Sequence, residues 1–146
     1  MHDCKSTDAV YRMLYLKTNH RRGGLLEDIW MENVSADKAN RVIEIDTDVL
    51  YQWRDIVPTF ETRITKIRNI GIRGATCRQA EAVYEFNGDE RDPIDGVTIE
   101  DVHVGRVTKF INNVRNTRNI LVRNVTWDEF TPEGEDMKIG GFAPGR

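Results

Sequence analysis

Cysteine is scarce. Cys4 and Cys77 are the only two, far apart and in no metal-binding spacing, so the chain implies no disulfide framework, no metal and no cofactor. Long apolar runs are absent as well, which excludes a transmembrane helix and gives no reason to expect a membrane partner. The opening Met1-His2-Asp3-Cys4-Lys5 lacks the basic-then-apolar pattern of a signal peptide. No excess of positive charge is present either. Lys and Arg number 21 against 24 Asp and Glu, a net charge of -3, so charge does not support a nucleic-acid partner. No segment has the apolar period of a long amphipathic helix. With 39% hydrophobic and 31% charged residues, the chain is not expected to be wholly disordered. Its 146 residues suffice to bury a core without a covalent staple.

What the chain has in plenty is β-forming residues. Ile, Val and Thr supply 38 of the 146 positions, and these types suit a pleated surface. A search for repeats is more telling. Four segments superimpose without gaps: 28–36, 69–77, 96–104 and 119–127. Their first apolar residues, Ile29, Ile70, Val97 and Ile120, are separated by 41, 27 and 23 residues. The two shorter steps suit one coil of a β-solenoid, and the longer one suits a coil with an insertion.

Each segment alternates, breaks phase once and alternates again. Ile29 and Met31 share a direction with Val34 and Ala36 only if one residue absorbs a turn, because a straight strand alternates strictly. The residue at that point is Asn33, Gly74, Asp101 or Asn124. These are the types that best tolerate positive φ. Further strands follow at 41–45, 82–86 and 109–111. The expectation is an all-β chain, a right-handed single-stranded parallel β-helix of four to five coils over 1–130, truncated at its N-terminal end. Residues 131–146, rich in Gly and Pro, form a tail or cap. The expected interior includes Ile29, Met31, Val34, Ile43, Ile45, Ile70, Ile72, Val83, Val97, Ile99, Val102, Val104, Ile120, Val122 and Val125. Glu32, Arg73, Glu100 and Arg123 point outward into solvent.

Outside the repeats, an insertion at 46–60 carries Tyr51, Trp53 and Arg54, and a basic turn precedes the first repeat. That turn is Leu16-Lys17-Thr18-Asn19-His20-Arg21-Arg22-Gly23-Gly24. Together with the coils that follow, it resembles the C-terminal part of glycoside hydrolase family 28, the polygalacturonases and related pectin-degrading enzymes, in its bacterial branch. The resemblance runs from Cys4 to about Phe130. It implies that Lys17 matches the lysine of the family's Arg-Ile-Lys motif, which binds the substrate carboxylate. Tyr15 stands where the motif has arginine, so Arg12, Arg21 or Arg22 must supply the second cation. Tyr51 matches in position a tyrosine that contacts substrate. Lys17, Arg21, Arg22 and Tyr51 are thus the substrate-binding candidates, with an acidic, galacturonate-containing polysaccharide as partner. Bidentate guanidinium pairing suits a uronate carboxylate, although Arg21 and Arg22 equally suit a solvated turn. Tyr51 and Trp53 suit either sugar stacking or anchoring of the insertion.

The family's catalytic aspartates precede the lysine motif, and only Met1 to Leu16 precede Lys17 here. Inverting hydrolysis needs an acid and a base about 6.5–9.5 Å apart, and no pair in the sequence stands out for those roles. Ile45-Asp46-Thr47-Asp48 resembles part of one catalytic motif but follows the lysine, and it reads as a strand end entering a turn. The stretch 88–93 is a turn by composition, and His20 and His103 read as lone surface histidines. The expected function is therefore the C-terminal portion of a pectin-type hydrolase, contributing groove residues without catalytic carboxylates. A periplasmic or secreted setting follows from the family alone. A free-standing acidic-carbohydrate-binding module and a structural solenoid fragment are the alternatives. An open first coil would favour self-association.

Overall fold

The computed structural model describes residues 1–49 and 61–132. Most of them lie in five strands: β1 (His2–Lys17), β2 (Leu25–Asp46), β3 (Lys66–Asn87), β4 (Ile94–Arg115) and β5 (Thr117–Phe130). Each pairs in parallel with the next, in chain order, within one sheet. No helix occurs among the described residues, so the fold is all-β.

The register follows the repeat. Ile29 pairs with Ile70, Ile70 with Val97 and Val97 with Ile120. Segments 28–36, 69–77, 96–104 and 119–127 therefore stack rung on rung, about 4.8 Å apart. A one-residue slip would turn every apolar side chain out of the core.

A straight strand of 22 residues, the length of β2, β3 and β4, would extend roughly 70 Å. Parallel sheets usually hide their faces under helices, which this one lacks. It bends instead. Asn33 (φ 53°), Gly74 (69°), Asp101 (53°) and Asn124 (53°) are all left-handed, at the phase break seen in the sequence. Bending lets residues before and after each corner share one buried cluster, among them Met31, Val34, Val42, Ile43 and Ile45 on β2.

Three features go beyond the sequence reading. Each repeat has a second left-handed corner at its first residue: Asp28 (56°), Asn69 (53°), Gly96 (82°) and Asn119 (56°). Asn69 Nδ2 donates to Asp28 Oδ1 at 2.5 Å, and Asn124 Nδ2 to Asp101 Oδ1 at 2.8 Å, so corner side chains of successive rungs bond to one another. A fifth rung also exists. β1 starts at His2, and pairing of His2 with Glu32 and of Cys4 with Val34 sets Asp3 (φ 55°) beside Asn33.

The outward charges form ordered columns. Glu32, Arg73, Glu100 and Arg123 are successive partners, alternating in sign along the sheet. Arg73 lies 3.6 Å from Glu32 and 3.2 Å from Glu100, and Arg123 pairs with Glu100. Glu27, Arg68, Asp95 and Arg118 repeat the pattern. Rungs this close would set like charges side by side, and alternation turns that cost into attraction.

Most of the expected interior is buried, but Val122 is not. It is 43% exposed, and Leu121, Trp127 and Phe130 beside it on β5 are exposed too. β5 is the last rung among the described residues, so its core-facing side chains meet a neighbour on one side only. Ile29, Ile120 and Val125 are partly buried against the core.

Candidate functional site

The end of each strand from β1 to β4 builds one flank of the sheet. Tyr15, Glu44, Glu85 and Asn113 form one column, and Lys17, Asp46, Asn87 and Arg115 form the next. Lys17 therefore ends its rung directly beside Asp46. Its Nζ lies 5.7 Å from the centroid of the Tyr15 ring. The Arg12 guanidinium lies 4.8 Å from the same ring and 3.8 Å from that of Tyr11. Two cations thus flank Tyr15, at favourable cation–π separations.

Arg12 is the more deeply held of the two. Its Nε donates to the nearly buried Glu44 carboxylate. Burial opposes its charge, yet the bond and field of Glu44 outweigh burial and leave its pKa raised. Its Nη1 is the one buried side-chain nitrogen or oxygen among the described residues without a hydrogen-bond partner. Such an orphan donor in a buried site calls for a physical reason. On the next rung, Arg41 repeats the arrangement, with Nε donating to Glu85 at 2.7 Å.

The turn after Lys17 is firmly held. Thr18 and Thr65 are buried, and their hydroxyls meet at 2.7 Å. Gly23 N donates to Arg63 O at 2.8 Å, and Asn19 Oδ1 accepts from Arg21 N at 3.0 Å. Gly23 (φ 63°) and Gly24 (φ 81°) provide the left-handed backbone that a tight basic turn needs. Arg21 is partly buried and Arg22 exposed on this turn, one rung end from Lys17. Tyr51, Trp53 and Arg54 lie outside the described residues.

Two residues take on roles that the sequence did not suggest. His20, read as a lone surface histidine, has Nε2 3.1 Å from Asp89 and Nδ1 3.7 Å from Asp48. Asp89 is buried, and its hydrogen bond from Arg91, against the cost of burial, lowers its pKa to about 2. An acid so strong stays ionised at neutral pH and does not serve as a proton donor there. Asp46 Oδ1 accepts from Asn87 Nδ2 and from Asp48 N, both at 3.0 Å, which makes 46–48 a side-chain-capped turn. Only stacking of rungs joins His20 to residues 28 and 69 positions away, so nothing local could have announced it. His103 likewise has partners, Thr126 at 2.8 Å and Asp128 at 3.2 Å.

Among the described residues, no group of three or more His, Cys, Asp or Glu side chains is placed to hold a metal ion. On this flank Lys17 and Arg115 end their strands beside Asp46 and Asn87, and Arg12 meets Glu44, so charges of both signs surround the Tyr15 phenol. No protein-family model matches the chain, and no curated protein matches it.

Proposed function

We propose that this chain comprises coils of a right-handed parallel β-helix of the pectin-type glycoside hydrolases (family 28), and that its Lys17 flank binds galacturonate without cleaving it. The arrangement that carries this reading is the Tyr15 ring with the Arg12 guanidinium 4.8 Å and the Lys17 ammonium 5.7 Å from its centroid. The family's carboxylate clamp uses an arginine two residues before the lysine. Here that position is tyrosine, and Arg12 reaches over it to supply the guanidinium. A uronate carboxylate would take a charge-assisted bond from Lys17, while the sugar face rests on Tyr15. Left-handed corners in register and one shared core support the helical winding. With Asp89 held ionised by Arg91, the nearby carboxylates anchor turns, which supports binding rather than hydrolysis by this chain.

Calorimetric titration with oligogalacturonate tests the proposal. Binding is expected to weaken with salt and to fall at least tenfold in Lys17→Ala. Polygalacturonate incubated with the protein is expected to release no reducing ends. Absence of binding at millimolar ligand, or affinity unchanged by Lys17→Ala, would refute the binding site, and robust product release would refute the loss of hydrolysis.

A further inference from the structure

A second groove lies on a different stretch of every rung. Just past the Asx corner, Lys5, Ser35, Thr76, His103 and Thr126 are successive partners across all five strands. Two residues further along each rung, Asp37, Arg78, Gly105 and Asp128 form the other wall. Between the two columns is a groove of about 550 Å³, bordered by residues of all five strands from Lys5 to Asp128. Five rungs span roughly 19 Å, long enough for several sugar rings end to end.

The shape of the groove has a cause. A side chain at Gly105 would place its Cβ 2.5 Å from the carbonyl oxygen of Arg78. Glycine is therefore required where the chain crosses Arg78, and the wall drops away between Arg78 and Asp128. The groove's charged groups balance. Asp37 accepts twice from Arg78, at 2.6 and 3.1 Å, giving a planar pair fixed in one orientation. Lys5 and Arg78 offset Asp37 and Asp128 in formal charge.

We infer that this groove binds a neutral oligosaccharide chain, independently of the Lys17 flank. Hydroxyls of Ser35 and Thr76 and the outer edges of the Asp37–Arg78 pair present donors and acceptors on neighbouring rungs. Vicinal sugar hydroxyls, each both donor and acceptor, match such an array. A uronate would find no net charge to favour it, and a strand of protein would find side chains where it needs an open sheet edge.

The test uses the whole chain, 15N-labelled, titrated with neutral hexasaccharides of β-1,4-linked glucose, xylose and galactose and, separately, with hexagalacturonate. At least one neutral hexasaccharide is expected to bind saturably and to shift the amides of Ser35, Thr76, Arg78 and His103 but not those of Lys17 and Arg115. Binding is expected to be indifferent to salt and to Lys17→Ala. Arg78→Ala and the groove-filling Thr76→Trp are each expected to weaken it at least tenfold, with the rest of the spectrum unchanged. The inference is overturned if no neutral hexasaccharide binds at millimolar concentration, if both variants bind as the parent does, or if only hexagalacturonate shifts these amides. Failure of hexagalacturonate to shift the Lys17 amide would overturn the first site and leave this one standing.

Discussion

Substitutions at Gly74 isolate the property on which the bends depend. Gly74 has φ 69° and occupies the corner that Asn33, Asp101 and Asn124 hold on other rungs. An L-residue forced into this region costs about 1–2 kcal/mol. Alanine also stiffens the unfolded chain, which offsets about 0.4–1 kcal/mol, so Gly74→Ala should lose about 1 kcal/mol. Valine, branched at Cβ, is a true outlier there, and Gly74→Val should lose more than about 2 kcal/mol. Asparagine tolerates the conformation. Its Cβ would sit 2.7 Å from Asn33 Oδ1, the far end of a side chain that can turn aside. The pairing of Asn124 with Asp101 at 2.8 Å shows how two such side chains accommodate each other. Gly74→Asn should therefore stay within about 0.5 kcal/mol of the parent, gaining part of a hydrogen bond for the backbone freedom it gives up. Urea midpoints from circular dichroism, with unchanged slopes, give the order. A valine variant as stable as the asparagine one would refute the reasoning, since crowding and not backbone handedness would then decide the corner.

The charge columns and the acidic turn make two further predictions. Arg73→Glu stacks three acids on adjacent rungs in place of an alternating set, so its urea midpoint should fall below the parent's at low salt and recover much of the difference at about 1 M salt. A deficit that ignores salt would point instead to lost contact with Trp30, whose ring lies 5.0 Å from the Arg73 guanidinium. Asp89 has a folded pKa of about 2, chiefly because Arg91 bonds to it, below the ordinary unfolded value of about 3.9. Its stabilising effect is thus complete above pH 4 and disappears as pH falls through about 2. Urea midpoints over that range should drop in the parent by more than in Asp89→Asn, and parallel curves would show that Asp89 is not the responsible group.

The legibility of the fold varied with how local its causes are. Corners at 33, 74, 101 and 124 were legible because positive φ restricts residue type at the position itself. Those at 28, 69, 96 and 119 carried the same Asp, Asn or Gly signal at the first position of each repeat. They lie at a segment's edge, where no change of phase marks them. The first half of β1 is hard to read because Cys4 and Ser6 stand where β2 has Val34 and Ala36, so its apolar rhythm is broken. Lys17 is a candidate from a turn motif in the sequence, whereas the 4.8 Å approach of the Arg12 guanidinium to the Tyr15 ring depends on the folded chain.

By itself, the sequence determined the β character, the spacing of the rungs and the bend positions, because each rests on the alternation or backbone tolerance of residues near one another in the chain. Tertiary structure alone decided which charges meet. The sign alternation of Glu32, Arg73, Glu100 and Arg123, the seat of His20 between Asp48 and Asp89, and the groove past the Asx corners all join residues 20 or more positions apart. Only a register fixed by core packing brings such residues within the few ångströms over which charges and hydrogen bonds act.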